Sequence, residues 1–275
     1  MNLRSYIFFV LIVLGINVGL VHAQSEADSI PASDIVESSV SVSVSESEAE
    51  AAYRQNSFAE SIKLYESEIG KNKQIKKESP ELYYNLGNAY FRDNQIAKAI
   101  LNYERALLLD PGDSDIRHNL RFAKTRIEDK IDSADSFFVN QWIRSIQNLY
   151  TANRWAMIGI VLFLILIIAV GSYVISTQIT VRKISFYSGI VLLALVIIAN
   201  AFAFKQKNKI VNRSTGIVMS ASVSIHTSPD AHSQELFRLH EGSKVRIKRE
   251  EGNWFEIVIA NGSVGWLQKK NIEKI

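Results

Sequence analysis

The chain has no cysteine among its 275 residues. That excludes disulfides, thiolate metal sites and a cysteine nucleophile. Charge is missing too over two long runs. No charged residue falls between Trp155 and Val181, and none between Ile184 and Phe204, with only Arg182 and Lys183 separating the runs. Residues 24–50 hold seven acids and no Lys or Arg. A net charge of +3 is too small to imply a nucleic-acid partner. Catalytic signatures are lacking as well. His22 falls in the N-terminal segment, and His118, His226, His232 and His240 show no metal-ligand spacing. There is no phosphate loop, no Gly-x-Ser-x-Gly and no His-Glu-x-x-His. The expectation is a chain that is not an enzyme and uses no cofactor or metal.

The two uncharged runs each hold the ~20 apolar residues that a helix needs to cross a hydrocarbon core about 30 Å thick. A helix of a globular protein keeps one polar face, and neither run has one. They read as two transmembrane helices, 155–176 and 184–204, joined by a short polar link around Ser176–Lys183. A basic linker, 205–215, follows. Such a hairpin returns the chain to the side it started from.

Residues 1–23 have the layout of a secretory signal: Arg4, an apolar run from Tyr6 to Leu14, then Val21-His22-Ala23 before Gln24. An uncleaved signal anchor would give the same topology. With the signal removed, the chain sits in the inner membrane with two spans, and in either case both soluble parts lie on the periplasmic side. The positive-inside rule disagrees mildly, because Lys205, Lys207, Lys209 and Arg213 outnumber Arg182 and Lys183. The export signal, as the first targeting element, takes precedence. Residues 24–46, with the alternating run Val40-Ser41-Val42-Ser43-Val44-Ser45, read as an acidic disordered leader, since so few apolar groups cannot offset chain entropy.

The stretch Tyr83-Tyr84-Asn85-Leu86-Gly87-Asn88-Ala89-Tyr90, followed by Ala99, Tyr103, Ala106 and Pro111, fits the 34-residue tetratricopeptide pattern. Gly87, Ala99 and Ala106 are small where two antiparallel helices must meet, and Tyr83, Leu86, Tyr90 and Tyr103 are the large knobs beside them. Asp110-Pro111 ends the second helix. Phe58–Glu66 echoes Ile96–Glu104 at a displacement of 38, and His118-Asn119-Leu120 echoes Tyr84-Asn85-Leu86 at 34. Residues 47–131 therefore read as two repeats plus a capping helix, because a lone helical pair cannot bury its apolar face. Asp110-Pro-Gly-Asp113-Ser-Asp115 lacks calcium-loop spacing and reads as a helix N-cap. Tetratricopeptide arrays bind partner segments on the face lined by their first helices. The register points Tyr84, Asn88, Phe91 and Arg92 into that face, with His118 and Arg126 from the capping helix and Arg54 from the first repeat. An acidic partner segment or C-terminus is the expected ligand, with the chain's own leader as an internal competitor.

Phe138, Trp142, Ile146 and Leu149 fall at helical spacing, so 137–152 reads as an amphipathic helix at the membrane interface. A final capping helix of the repeat array is the alternative. From Gly216 the pattern changes to period two, with turn signals at Ser228-Pro229, Glu241-Gly242-Ser243, Glu251-Gly252-Asn253 and Asn261-Gly262. Five or so short strands in 216–275 predict a small barrel. The order of Val223-Ser224-Ile225-His226-Thr227-Ser228-Pro229, Trp254 and Gly265-Trp266 resembles a bacterial SH3 domain. Trp254 and Trp266 either line a ligand groove or fill the barrel core, the core being favoured for Trp266.

The fold class is thus a multidomain membrane protein: all-α tetratricopeptide helical repeats, two transmembrane helices and a small all-β SH3-like barrel. That order, with Tyr83–Arg105, Leu109-Asp110-Pro111 and Leu239-His240-Glu241-Gly242-Ser243-Lys244-Val245, resembles the BatE family of aerotolerance-operon proteins. The resemblance implies work beside membrane-anchored von Willebrand factor A-domain proteins and a MoxR-type ATPase, in a complex tied to envelope or oxidative stress. Two roles follow: a membrane scaffold for protein partners, or a cell-wall sensor binding peptidoglycan through the SH3-like part.

Overall fold

A computed structural model describes residues 48–130 and 138–275. The expected signal and the acidic leader lie outside the described residues.

The repeat region is built from antiparallel helices. Residues 48–54 (α1) and Phe58–Gln74 (α2) form one pair, and Pro80–Arg92 (α3) and Ile96–Leu109 (α4) the next. Ser114–Lys124 (α5) caps them. Each boundary has a local cause. Ser79 accepts from the Leu82 amide and Pro80 opens α3, where a missing N–H costs nothing. Asp113 accepts from the Asp115 and Ile116 amides and starts α5. The large and small residues of the repeat signature are all buried. Tyr83, Leu86, Tyr90, Ala99, Tyr103 and Ala106 are at most 4% exposed. Gly87 is there because the Tyr103 ring lies across it: a Cβ would sit 2.7 Å from two ring carbons.

Ala152–Ile175 (α7) and Ile179–Asn212 (α8) are long and apolar enough, by length and composition, to cross a membrane. At 1.5 Å per residue α7 spans about 36 Å, enough for a hydrocarbon core of about 30 Å. The expected link and flank are shorter than the sequence suggests. Only 176–178 are non-helical, and Arg182 and Lys183 sit in the first turns of α8. Most of the basic linker, 205–215, is helical, because α8 runs on to Asn212. No Gly or Pro interrupts Phe204–Asn212, and buried Gln206 ties this turn of helix down. Within 159–196, which forms one compact unit, Ser185 donates to the Ser172 hydroxyl (3.2 Å) and Tyr173 meets Phe186 (6.0 Å).

The second unit takes Val44–Ile158 and Ile197–Ile275. In it a short helix, Phe138–Gln147 (α6), leads into α7. Gln206 donates to the Gln147 carbonyl (3.0 Å), as does the Trp155 indole (3.0 Å), while Trp142, Leu149 and Tyr150 stay exposed.

The C-terminal part is a seven-stranded antiparallel sheet that does not close into a barrel. Its strands are Thr215–Val218 (β1), Ser222–His226 (β2), Glu235–His240 (β3), Lys244–Glu251 (β4), Trp254–Val258 (β5), Val264–Gln268 (β6) and Ile272–Lys274 (β7). Their order is β3-β2-β6-β5-β4-β1-β7. Closure would require β3 to pair with β7. Instead the outward amide of His240 on β3 is taken by the Asp129 carboxylate (2.7 Å), and β7 has only three residues. One face of the sheet carries an apolar cluster of Val218, Ile225, Val245, Phe255, Ile257 and Leu267.

Sheet and repeat are packed together. Ile217 and Ile275 join the apolar core of the repeat. Gly242, at φ +85°, faces Ile127 and Ile100 so closely that a Cβ has no room. Glu104, 5% exposed, accepts from Lys244 of β4 (2.6 Å) and from Lys124 of α5 (2.7 Å). Burial alone would raise its carboxyl, yet the two ammonium groups hold it at about 2. Asp129 accepts from the His240 amide, the His240 ring (2.8 Å) and the Ser243 hydroxyl.

Candidate functional site

The register residues of the concave face are placed as follows. Tyr84, Asn88, Phe91 and Arg92 recur along one stripe of α3, since positions i, i+4, i+7 and i+8 stack on a helix. The capping helix lies against that stripe. Phe91 meets Phe122 of α5 (5.5 Å), and the Arg126 guanidinium lies over the Phe122 ring (5.6 Å). On the other side Arg92 lies over the Phe58 ring of α2 (5.1 Å). Phe122 is 49% exposed, unusually open for so large an apolar ring. Arg92, His118 and Arg126 are exposed as well. The result is a strip of aromatic rings edged by two guanidinium groups. It offers apolar contact to a peptide backbone and fork-like donors to a carboxylate.

Two of the expected residues behave otherwise. Asn88 does not reach freely into the groove, because its Oδ1 accepts from the Tyr103 hydroxyl (2.8 Å) and from Asn119 Nδ2 (3.0 Å). Asn119 also donates to the Tyr84 hydroxyl (3.0 Å). Asn88 thus braces three helices through its Oδ1. Arg54 is ion-paired one turn back with Glu50 (3.0 Å) on an exposed surface.

Phe58, Asn119 and Phe122 belong to the strip without having been singled out from the sequence. A signal existed for Phe122, which stands one 34-residue period after Asn88, as His118 does after Tyr84 and Arg126 after Arg92.

The sheet presents a second aromatic surface. His226 and Trp254 meet edge to face (5.5 Å). Trp266 is 6% exposed, but it is not part of the apolar cluster. It pairs across the strands with His226 and Glu256 and is roofed by the Arg249 guanidinium (5.0 Å). Trp266 is buried, as expected of a core residue, but on the face of β6 opposite Leu267, which takes the position in the apolar cluster. Trp254, Trp266 and His226 share the outer face. Among the described residues no group of three or more His, Asp or Glu could hold a metal ion.

A family model for the tetratricopeptide repeat matches residues 80–113, the pair α3–α4 with its closing turn. No curated protein matches the chain. The chain thus contains a tetratricopeptide repeat, two long apolar helices and a C-terminal antiparallel sheet. A repeat of this kind points to protein–protein interaction.

Proposed function

We propose that the chain is a non-enzymatic scaffold in the inner membrane that holds protein partners on the concave face of its repeats. The observation that carries this reading is the exposed strip of Phe91, Phe122, Arg92 and Arg126. Its chemistry suits an acidic segment or C-terminus of a partner. The resemblance to BatE proteins suggests the partners: von Willebrand factor A-domain membrane proteins and a MoxR-type ATPase system, in an aerotolerance or envelope-stress complex. Arg92→Ala with Arg126→Ala in the full chain should leave the melting temperature unchanged and abolish co-purification of partners from mild detergent. Equal yield from wild type and variant would remove the groove as the binding site. Asn88→Ala is the wrong probe, since it strips acceptors from Tyr103 and Asn119 and should destabilise the repeat.

In this reading residues 24–154 and 205–275 lie on the periplasmic side and only the turn near Thr180 lies inside. The chain lacks cysteine, so single cysteines at Ser57, Thr180 and Ser233 test it cleanly. An impermeant maleimide should label the first and third in cells with a permeabilised outer membrane. Labelling at position 180 would reverse the orientation.

A second reading, peptidoglycan binding by an SH3-like C-terminal part, draws on the outer sheet face, where Trp254 and His226 offer a stacking surface. Retention of the full chain on purified cell wall, lost in Trp254→Ala, would favour it.

A further inference from the structure

At the turn between α7 and α8 the two helices leave a cavity of about 320 Å³, lined by Tyr173 of α7 and by Ile179, Arg182, Lys183, Phe186 and Tyr187 of α8. All six lie within 159–196, so the cavity belongs to one compact unit. Their spacing explains why they converge. Ile179, Lys183 and Tyr187 recur every fourth residue, and Arg182 and Phe186 do the same one position back. That makes two adjoining rows on one face of the helix. Aromatic contacts hold the walls. Tyr173 meets Phe186 (6.0 Å), and Phe186 meets Tyr187 (5.6 Å). The Arg182 guanidinium lies over the Tyr173 ring (5.2 Å), so one cation is held against the opposite helix.

Three features say what the cavity takes. The first is an unanswered charge. Arg182 and Lys183 are the only charged residues of 159–196, and no Asp or Glu occurs between Asp135 and Asp230. Neither α7 nor α8 can give them a carboxylate, although a cation at the edge of hydrocarbon gains much from a counter-ion. The second is the order of groups along α8. At 1.5 Å per residue, Lys183 stands about 6 Å before Tyr187 and about 12 Å before Val191. The same face thus offers cations, then aromatic rings, then Ile190 and Val191, which are 53% and 58% exposed. A phospholipid presents its parts in the same order: phosphate, glycerol ester, acyl chain. The third is direction. Side chains on a helix lean towards its N-terminus, so Arg182 and Lys183 lean towards the turn, the polar edge of a span, and away from its hydrocarbon part. Tyr173 and Tyr187 fall at the level where tyrosine gathers in membrane proteins.

We propose that this cavity binds an anionic phospholipid, with the headgroup phosphate on Arg182 and Lys183, the glycerol esters against Tyr173, Phe186 and Tyr187, and an acyl chain along Ile190 and Val191. The site rests on the reading of α7 and α8 as membrane spans and is independent of their orientation. The exposed aliphatic face beside the cations suits a lipid and gives a free phosphate ion nothing to contact.

The test uses the full chain. Wild type and variants are first floated with phosphatidylcholine vesicles, then taken into mild detergent with equal amounts of phosphatidylglycerol and phosphatidylcholine. Native mass spectrometry reads the lipid that stays bound. Phosphatidylglycerol should be retained over phosphatidylcholine by about tenfold, the scale that two cations facing an anionic headgroup set. Arg182→Gln with Lys183→Gln should bring the ratio close to one. Tyr173→Ala, which leaves the net charge unchanged, should still lower it by about threefold, because Arg182 loses the ring that holds it. Lys205→Gln with Lys207→Gln, at the other end of α8, should leave most of the preference in place. Failure to float would refute the membrane spans and remove this site with them. Flotation with no lipid preference, or a preference lost equally in the Lys205 and Lys207 variant, would overturn the site alone. Release of the bound lipid by inorganic phosphate would show that the cavity takes the free ion, and would overturn the lipid as its ligand.

Discussion

Replacing Glu104 by Gln keeps the shape of the side chain and removes its charge. In the folded chain this carboxylate is buried between Lys124 and Lys244 and titrates at about 2 in place of the ordinary 4.5. Each unit of such a shift corresponds to about 1.4 kcal/mol of preference for the charged form, so the full shift is worth about 3 kcal/mol. The lysines are 38% and 40% exposed and can rehydrate once unpaired, which trims the expected loss to about 2–3 kcal/mol. For a folded unit of this size that is a drop of roughly 5–10 °C in melting temperature. The sign with pH follows from the direction of the shift. A depressed carboxyl stabilises fully above its unfolded value and loses that contribution as pH falls through the folded one. Wild type should therefore exceed Glu104→Gln at pH 7, and the gap should shrink between pH 4.5 and about 2. The assay is thermal unfolding of the full chain in detergent with Trp142→Phe and Trp155→Phe as background, followed by the fluorescence of Trp254 and Trp266, which report on the sheet that Lys244 anchors. Equal melting temperatures at pH 7, or a gap that persists undiminished at pH 2, would refute the argument.

Gly87→Ala should destabilise the repeat by about 1–2 kcal/mol, because the clash with Tyr103 outweighs the helix propensity that Ala adds; a raised urea midpoint would show that the ring yields. Ala99→Leu, at a fully buried position, should lower the melting temperature more strongly, and an unchanged value would mean that the repeat register is wrong. The contact of Asp129 with β3 should be pH-dependent on both sides. His240 is raised by its hydrogen bond to Asp129, so that part is complete below the ordinary 6.5 and fades as pH rises through the raised value. Burial would raise Asp129, but the His240 and Ser243 donors hold it low, so its part is complete above 3.8 and fades in stronger acid. Hydrogen exchange at the His240 amide should be slowest between those limits, and Asp129→Asn should flatten the profile.

The modules can be read from the chain alone. The repeat was legible because close helix packing demands small residues at Gly87, Ala99 and Ala106 and large ones at Tyr83 and Tyr103, whatever surrounds them. The two long apolar helices were legible because length and absence of charge are one-dimensional properties. Most strands showed as alternation, except β3, whose Leu236-Phe237 pair breaks period two, and β7, which is too short to carry a period. The remaining features depend on groups far apart in the chain. Glu104 finds Lys244 across 140 residues, and Asp129 ends the sheet at His240 in place of closure. Asn88 turns from the groove to the scaffold because Tyr103 and Asn119 reach it first. Alternation says that Trp266 and Leu267 face opposite ways but not which faces the core; packing of Leu267 with Phe255 and Ile257 settles that, since a sheet has one buried apolar face to fill.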